Sequence, residues 1–159
     1  MIRVIINVLK FSLSVFSLLF FYLNIVNALD DSLCDSRELT IMTKNELLLY
    51  NVEVADTVRK RQKGLMNKKY VASNGGMLFI FDRLQYAKIW MKNTSIILDI
   101  IFVNELGVIT KIVRGAEPFS LEIHSSNSPV KFVLEVPSLG KDSDLINVGN
   151  SISHCAIKK

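Results

Sequence analysis

Histidine and cysteine are scarce in this chain, with two of each among 159 residues. His124 and His154 stand far apart, and Cys34 and Cys155 lie near opposite ends of the part that follows the N-terminal segment. Neither pair has the close spacing of zinc ligands, and a Ser-His-Asp or Cys-His nucleophilic centre has little to draw on. A glycine-rich phosphate loop, a dinucleotide fingerprint and a G-x-S-x-G elbow are missing as well. Net charge is also low. The first 28 residues hold Arg3 and Lys10 and no acid, so the remaining 131 carry 17 basic and 15 acidic groups. A domain this close to neutral lacks the electrostatic footprint of a nucleic-acid binder. The chain contains neither an internal repeat nor a low-complexity tract.

The N-terminus has the pattern of an exported precursor. Arg3 and Lys10 form a positive n-region, Phe11 to Leu23 is an apolar run, and Ala28 with Val26 suits a signal peptidase. The expectation is a signal peptide over 1–28, a polar lead-in over 29–45 and a single domain over 46–159, working in the periplasm or elsewhere in the envelope. An uncleaved anchor is the alternative, in which case this segment alone would touch the membrane. Residues 11–28 barely reach across a bilayer, however, and Asn24 and Asn27 interrupt them. Asp31 is too polar for a lipobox ahead of Cys34. In an oxidising compartment Cys34 and Cys155 can form a disulfide stabilising the domain by about 4 kcal/mol; otherwise they are two thiols that never meet.

Residues 29–159 read as many short strands with one helix. A short strand is expected near Leu39 to Met42 and another over Glu46 to Val54. Asp56 or Thr57 can cap a helix starting at Val58, and Gly64 sits where it would end. Strands are expected at Met77 to Phe81 and Ala87 to Lys92, after the Asn74-Gly75-Gly76 turn. Leu98 to Val103 and Val108 to Val113 should form a hairpin, since a short turn-forming segment separates them. Val130 to Val136 places Val130, Phe132, Leu134 and Val136 on one face, and Ser151 to Ile157 can close the sheet. The predicted class is α+β, mostly β, with a small curled or barrel-like antiparallel sheet and one short helix.

Five segments occur in a recognisable order: RQKGLM (Arg61 to Met66), GGMLFIF (Gly75 to Phe81), WMKNT (Trp90 to Thr94), LDIIFV (Leu98 to Val103) and VLEV (Val133 to Val136). On these motifs the chain resembles the DUF192 family, a set of small bacterial and archaeal domains of unknown function, over about residues 48–152. The resemblance implies a compact β-rich fold with a short helix before the GLM segment, and no activity. One departure is Ile97, where family members usually carry proline; Ile frees φ and restores an N–H.

Asp99 is the most informative polar residue, because it interrupts an otherwise apolar run from Ile96 to Val103. A lone buried carboxylate costs several kcal/mol, so Arg61, Lys92 or the Asn93 amide is expected to meet it. Either Asp99, Arg61 and Glu135 converge on a ligand, or Asp99 is a structural ion-pair partner or a loop-tying carboxylate that accepts backbone N–H bonds. Glu135 alternates with Phe132 and Leu134 as an outward strand residue would. Arg61 belongs to an acid-free basic stretch with Arg59, Lys60, Lys63, Lys68 and Lys69, which is either an anion-binding face or a solvated one. Trp90, sharing a strand face with Lys92, is either a ligand platform or a cover for the sheet. Met66, Met77 and Met91 raise Cu(I) binding as a remote alternative, although Met is a common core filler. The leading expectation is a non-catalytic exported binding or accessory domain without metal or cofactor. Its polar pocket would include Arg61, Trp90, Lys92, Asn93, Asp99 and Glu135, and its partner would be a small anionic molecule, an envelope glycan or an envelope protein. The alternative is an envelope hydrolase using Asp99 or Glu135 as acid/base, for which two carboxyl groups must face one cleft.

Overall fold

The computed structural model describes residues 37–140 and 142–157. The expected signal segment and Cys34 lie outside these residues. Among these residues nine strands and one α-helix follow in order: β1 (Glu38–Met42), β2 (Leu47–Ala55), α1 (Val58–Lys63), β3 (Gly75–Gln85), β4 (Lys88–Ile89), β5 (Leu98–Val103), β6 (Ile109–Ala116), β7 (His124–Ser125), β8 (Val130–Pro137) and β9 (Ser151–Ser153), with a short 3-10 turn at Ser143–Leu145. No helix among the described residues is long and apolar enough to cross a membrane.

Seven strands form one sheet in the order β6-β5-β8-β3-β2-β1-β9, while β4 and β7 pair separately. The sheet curls into a half-barrel whose edges are stitched at one end. Val108 bridges Ser151, the Ile109 amide donates to the Asn150 carbonyl at 2.8 Å and the Ile152 amide to the Gly107 carbonyl at 2.7 Å. These bonds satisfy edge groups that an open sheet would leave unpaired. The domain is mostly β with one short helix, as the sequence predicts. One pair departs from the expected antiparallel arrangement: β2 and β3 are parallel. The reason is the crossover through α1, which returns the chain to the end of the sheet from which β2 began.

Alternation along β2 turns Leu48, Tyr50 and Val52 inward and leaves Leu47 and Leu49 exposed. The middle of the sheet is different. All six residues of β5 are buried, and β8 is flanked by β5 and β3. One face of the sheet carries Leu78, Ile101, Leu134 and Val136 into the inner core. The other carries Phe79, Ile100, Phe102 and Val133 into a second apolar cluster. Val130 joins this second cluster and not the inner core, because the β3–β8 register shifts between Ile80 and Gln85. Glu135 is therefore not an outward residue, since a central strand covered on both faces has no outward side.

The predicted β5–β6 hairpin is present, its turn held by Asn104 Oδ1, which accepts from the Leu106 and Val108 amides at 3.0 and 2.9 Å. The expected strand over Ala87 to Lys92 shrinks to Lys88–Ile89. Its continuation turns, with Asn93 at φ 55 and the Thr94 amide donating to the Met91 carbonyl at 3.0 Å.

Candidate functional site

A cleft of about 560 Å3 opens beside the second apolar cluster, between α1 and its following turn on one side and β4 with Trp90 on the other. The α1 wall is fixed at several points. Thr57 caps the helix, its Oγ1 accepting from the Lys60 amide at 3.2 Å. The Arg61 guanidinium donates to the Asp56 carbonyl at 2.8 Å and the Ile80 carbonyl at 2.6 Å, and pairs with Asp82 at 3.2 Å. It also lies 5.7 Å from the Phe81 ring centroid. At Gly64, φ is 49 and a Cβ would come within 3.3 Å of Phe79. Only glycine combines that backbone with so close an approach to the floor. The turn then buries Leu65 and is tied to the opposite wall by the Asn67 amide, which donates to the Asn93 carbonyl at 2.8 Å.

Phe79, Phe81 and Glu135 line the cleft from β3 and β8. Glu135 is only 5% exposed, and its cross-strand neighbours are Met77 and Ile100, neither of them polar. Among the described residues its carboxyl receives no hydrogen bond and no ion pair. Burial pushes it up to about 8, so at neutral pH it is chiefly a neutral acid. The bases at the mouth are Lys63 and Lys88, both exposed, and among the described residues neither is ion-paired. Trp90 lines the cleft at 46% exposure, with Lys92 Nζ 5.1 Å from its ring centroid. Lys92 and Asn93 themselves stand outside the lining, Asn93 serving through its backbone carbonyl.

Asp99 is elsewhere. It pairs across to Val136 on β8, whereas Glu135 opposes Ile100, so the two carboxylates point to opposite faces of the sheet. The expected partners Arg61, Lys92 and Asn93 do not reach it. Arg114 on β6 does, at 2.6 Å, and the Ser143 hydroxyl donates to the same oxygen at 2.6 Å. Leu98 opposes Ala116 and Ile100 opposes Val113, leaving Arg114 and Gly115 both facing Asp99. This bulge, with Gly115 at φ 59, brings the Gly115 amide to the other carboxylate oxygen at 2.9 Å. Burial by itself would raise the Asp99 carboxyl. The Ser143 hydroxyl, the Gly115 amide, the Ser138 hydroxyl and Arg114 together hold it below the ordinary carboxylate range. Arg114 also donates to the Ser143 and Ile146 carbonyls, so the cluster ties the 3-10 turn to the sheet. The predicted hairpin, continued without irregularity, would set Ile112 opposite Asp99; the register shifts between Phe102 and Val103 and between Leu98 and Ile100 bring Arg114 there instead.

The basic stretch is partly neutralised by acids from outside it: Lys60 pairs with Asp56 at 2.7 Å, Arg61 with Asp82, and Lys68 with Glu53. Lys60, Lys68 and Glu53 border a second, more polar cleft, whose lysines are thus already engaged. Met77 and Met91 are buried in the second apolar cluster, while Met66 lines the first cleft. Among the described residues no group of three or more His, Cys, Asp or Glu could hold a metal. Cys155 lies exposed in the turn after β9; its expected pairing involves Cys34, outside the described residues. At Ile97, the carbonyl accepts from the Ser138 amide at 3.1 Å, an anchor that proline could provide equally.

No curated protein matches the chain significantly. A solved structure from Sinorhizobium meliloti, provisionally described as a transcription regulator, is 31% identical with TM-score 0.70, covering 73% of this chain and 91% of that one. A protein of unknown function from Novosphingobium aromaticivorans is 29% identical with TM-score 0.70, covering 73% and 83%. The DUF192 family, described as an uncharacterised ACR, matches residues 39–154. The fold, the motif order and this match agree, and the chain belongs to the DUF192 family.

Proposed function

We propose that this protein is an exported, non-catalytic binding domain of the cell envelope, and that the cleft between α1 and β4 takes a small anionic molecule. The observation that carries this reading is Glu135: an acid buried among apolar residues, held neutral by burial, facing the cleft and engaged by no protein group among the described residues, so that it can donate to an incoming anion. The cleft volume of about 560 Å3 falls within the range for small-ligand sites. The aromatic rings offer an apolar bed, and Lys63 and Lys88 supply the charge for an anion. Arg61 acts differently: with its guanidinium engaged by Asp56, Ile80 and Asp82, it positions the α1 wall.

A hydrolase built on two carboxylates is not favoured, because Asp99 and Glu135 occupy opposite faces of the sheet. A regulator's contact with DNA has little support from a mature chain with 17 basic and 15 acidic groups. Export rests on the N-terminal pattern, with cleavage near Ala28, and a Cys34–Cys155 disulfide would suit that compartment.

Native mass spectrometry of protein purified from its own envelope fraction tests these readings together. The expected spectrum shows a mature N-terminus near residue 29, a mass lower by two hydrogens, and an organic acid released on denaturation. Protein recovered from the cytoplasm with Met1 intact would overturn export. A ligand-free spectrum, joined to absence of binding by any small carboxylate in calorimetry, would overturn the pocket assignment.

A further inference from the structure

The cleft has a charge order that narrows its ligand: an acid inside, bases at the mouth. Among the described residues no protein group donates to Glu135, and Arg61 and Thr94, which line the same cleft, direct their donors elsewhere. The Arg61 donors go to Asp56, Ile80 and Asp82, and the Thr94 hydroxyl is directed to the Lys92 carbonyl at 3.3 Å. Lys63 and Lys88 are exposed at the rim. The ring faces bordering the cleft already attract cations, Arg61 over Phe81 and Lys92 over Trp90, so the aromatic lining favours a positive group as well. A purely anionic ligand would satisfy Lys63 and Lys88 but could meet Glu135 only in its neutral form, by accepting its hydrogen bond, whereas an ammonium group pairs with the carboxylate.

From this arrangement we infer that the ligand is a small zwitterion of the ω-amino-acid type, its ammonium group seated on Glu135 and its acidic group held outside by Lys63 and Lys88. The inference deepens the anionic-ligand reading above and rests on it. It carries a proton balance. In the empty cleft at neutral pH Glu135 holds a proton; when R–NH3+ arrives, the carboxyl gives that proton to solvent and the carboxylate pairs with the ammonium. The remaining ionisable groups around the cleft are Arg61 and Lys63 from α1 and Lys88 from β4. The strands on either side of Glu135 oppose it with Met77 and Ile100, which do not titrate.

The test is isothermal calorimetry at pH 7 on the mature protein. The probes are ω-amino acids of increasing chain length, the fatty acids of matching length, and the matching dicarboxylates. Each titration is repeated in two buffers of different ionisation enthalpy. The expected result is one amino acid of preferred length binding at least about tenfold tighter than its fatty acid, with close to one proton released per ligand. Glu135→Gln, checked by its melting curve, should bring the amino acid and fatty acid to within about twofold of each other. The comparison between probes on the unmodified protein stands even if that variant does not fold. Equal or tighter binding of a fatty acid or dicarboxylate, or binding without proton release, would overturn the zwitterion while leaving the anionic-ligand reading intact. Binding by none of the probes would overturn both.

Discussion

Two buried carboxyl groups, Asp99 and Glu135, meet opposite fates. Asp99 is fully buried but surrounded by donors, and its ionised form is the stable one. Removing the charge leaves Arg114 facing a neutral amide, so Asp99→Asn should cost about 2–4 kcal/mol in chemical denaturation. Its carboxyl is held below its usual 3.8, so the native state binds fewer protons than the unfolded chain in acid. That stabilisation is present above pH 3.8 and is lost as pH falls through the lower folded value. Glu135 has the opposite sign. Its carboxyl is raised from 4.5 to about 8, so between those values the folded protein keeps a proton that the unfolded chain has released. The Glu135 contribution is most favourable below pH 4.5 and declines by up to about 1.4 kcal/mol per pH unit as pH rises toward 8. Denaturation curves across that window should show the decline in the wild type and its loss in Glu135→Gln.

Among the elements, the approach of β3 to β8 sets the floor of the cleft. A Cβ at Gly76 would lie 2.4 Å from the Glu135 carbonyl oxygen, far inside contact distance, and backbone cannot yield as a side-chain tip would. Gly76→Ala should therefore destabilise by at least about 2 kcal/mol. In any variant that still folds, Glu135 should be displaced, visible as a shifted titration. The helix wall depends on a smaller device: Thr57→Ala removes the cap at Lys60 and should cost about 1 kcal/mol. The cap at Thr57 and the stop at Gly64 were legible as a helix from Thr57 to Gly64, because each is a local rule. That Arg61 would spend its donors on Asp56, Ile80 and Asp82 was not, since two of these partners lie 19 and 21 residues away.

At the scale of the whole molecule, the seam between β6 and β9 converts an open sheet into a half-barrel. Gly107 is placed there at φ 80, where a Cβ would come within 2.6 Å of the Ile152 carbonyl oxygen. Gly107→Ala should weaken the closure and lower stability by about 2 kcal/mol. The corresponding hydrogen-exchange measurement should find the Ile109 and Ile152 amides, donors across that seam, exchanging faster than those of the β5–β8 ladder. Uniform slowing or no change at the seam would show that the edges do not stabilise each other.

Local periodicity and turn chemistry were enough to determine a mostly β domain with one helix before the GLM segment, the β5–β6 hairpin, and the inward set of Phe132, Leu134 and Val136. Those features depend on neighbours within a few residues or on alternation within one strand. Tertiary structure alone decided the rest: that β2 and β3 run parallel, that β8 lies in the middle of the sheet, and that Asp99 and Glu135 are separated by it. An alternating strand reads the same at an edge, where alternate residues face water, as at the centre, where both faces are covered. Only the strand order made Glu135 a buried acid facing a cleft.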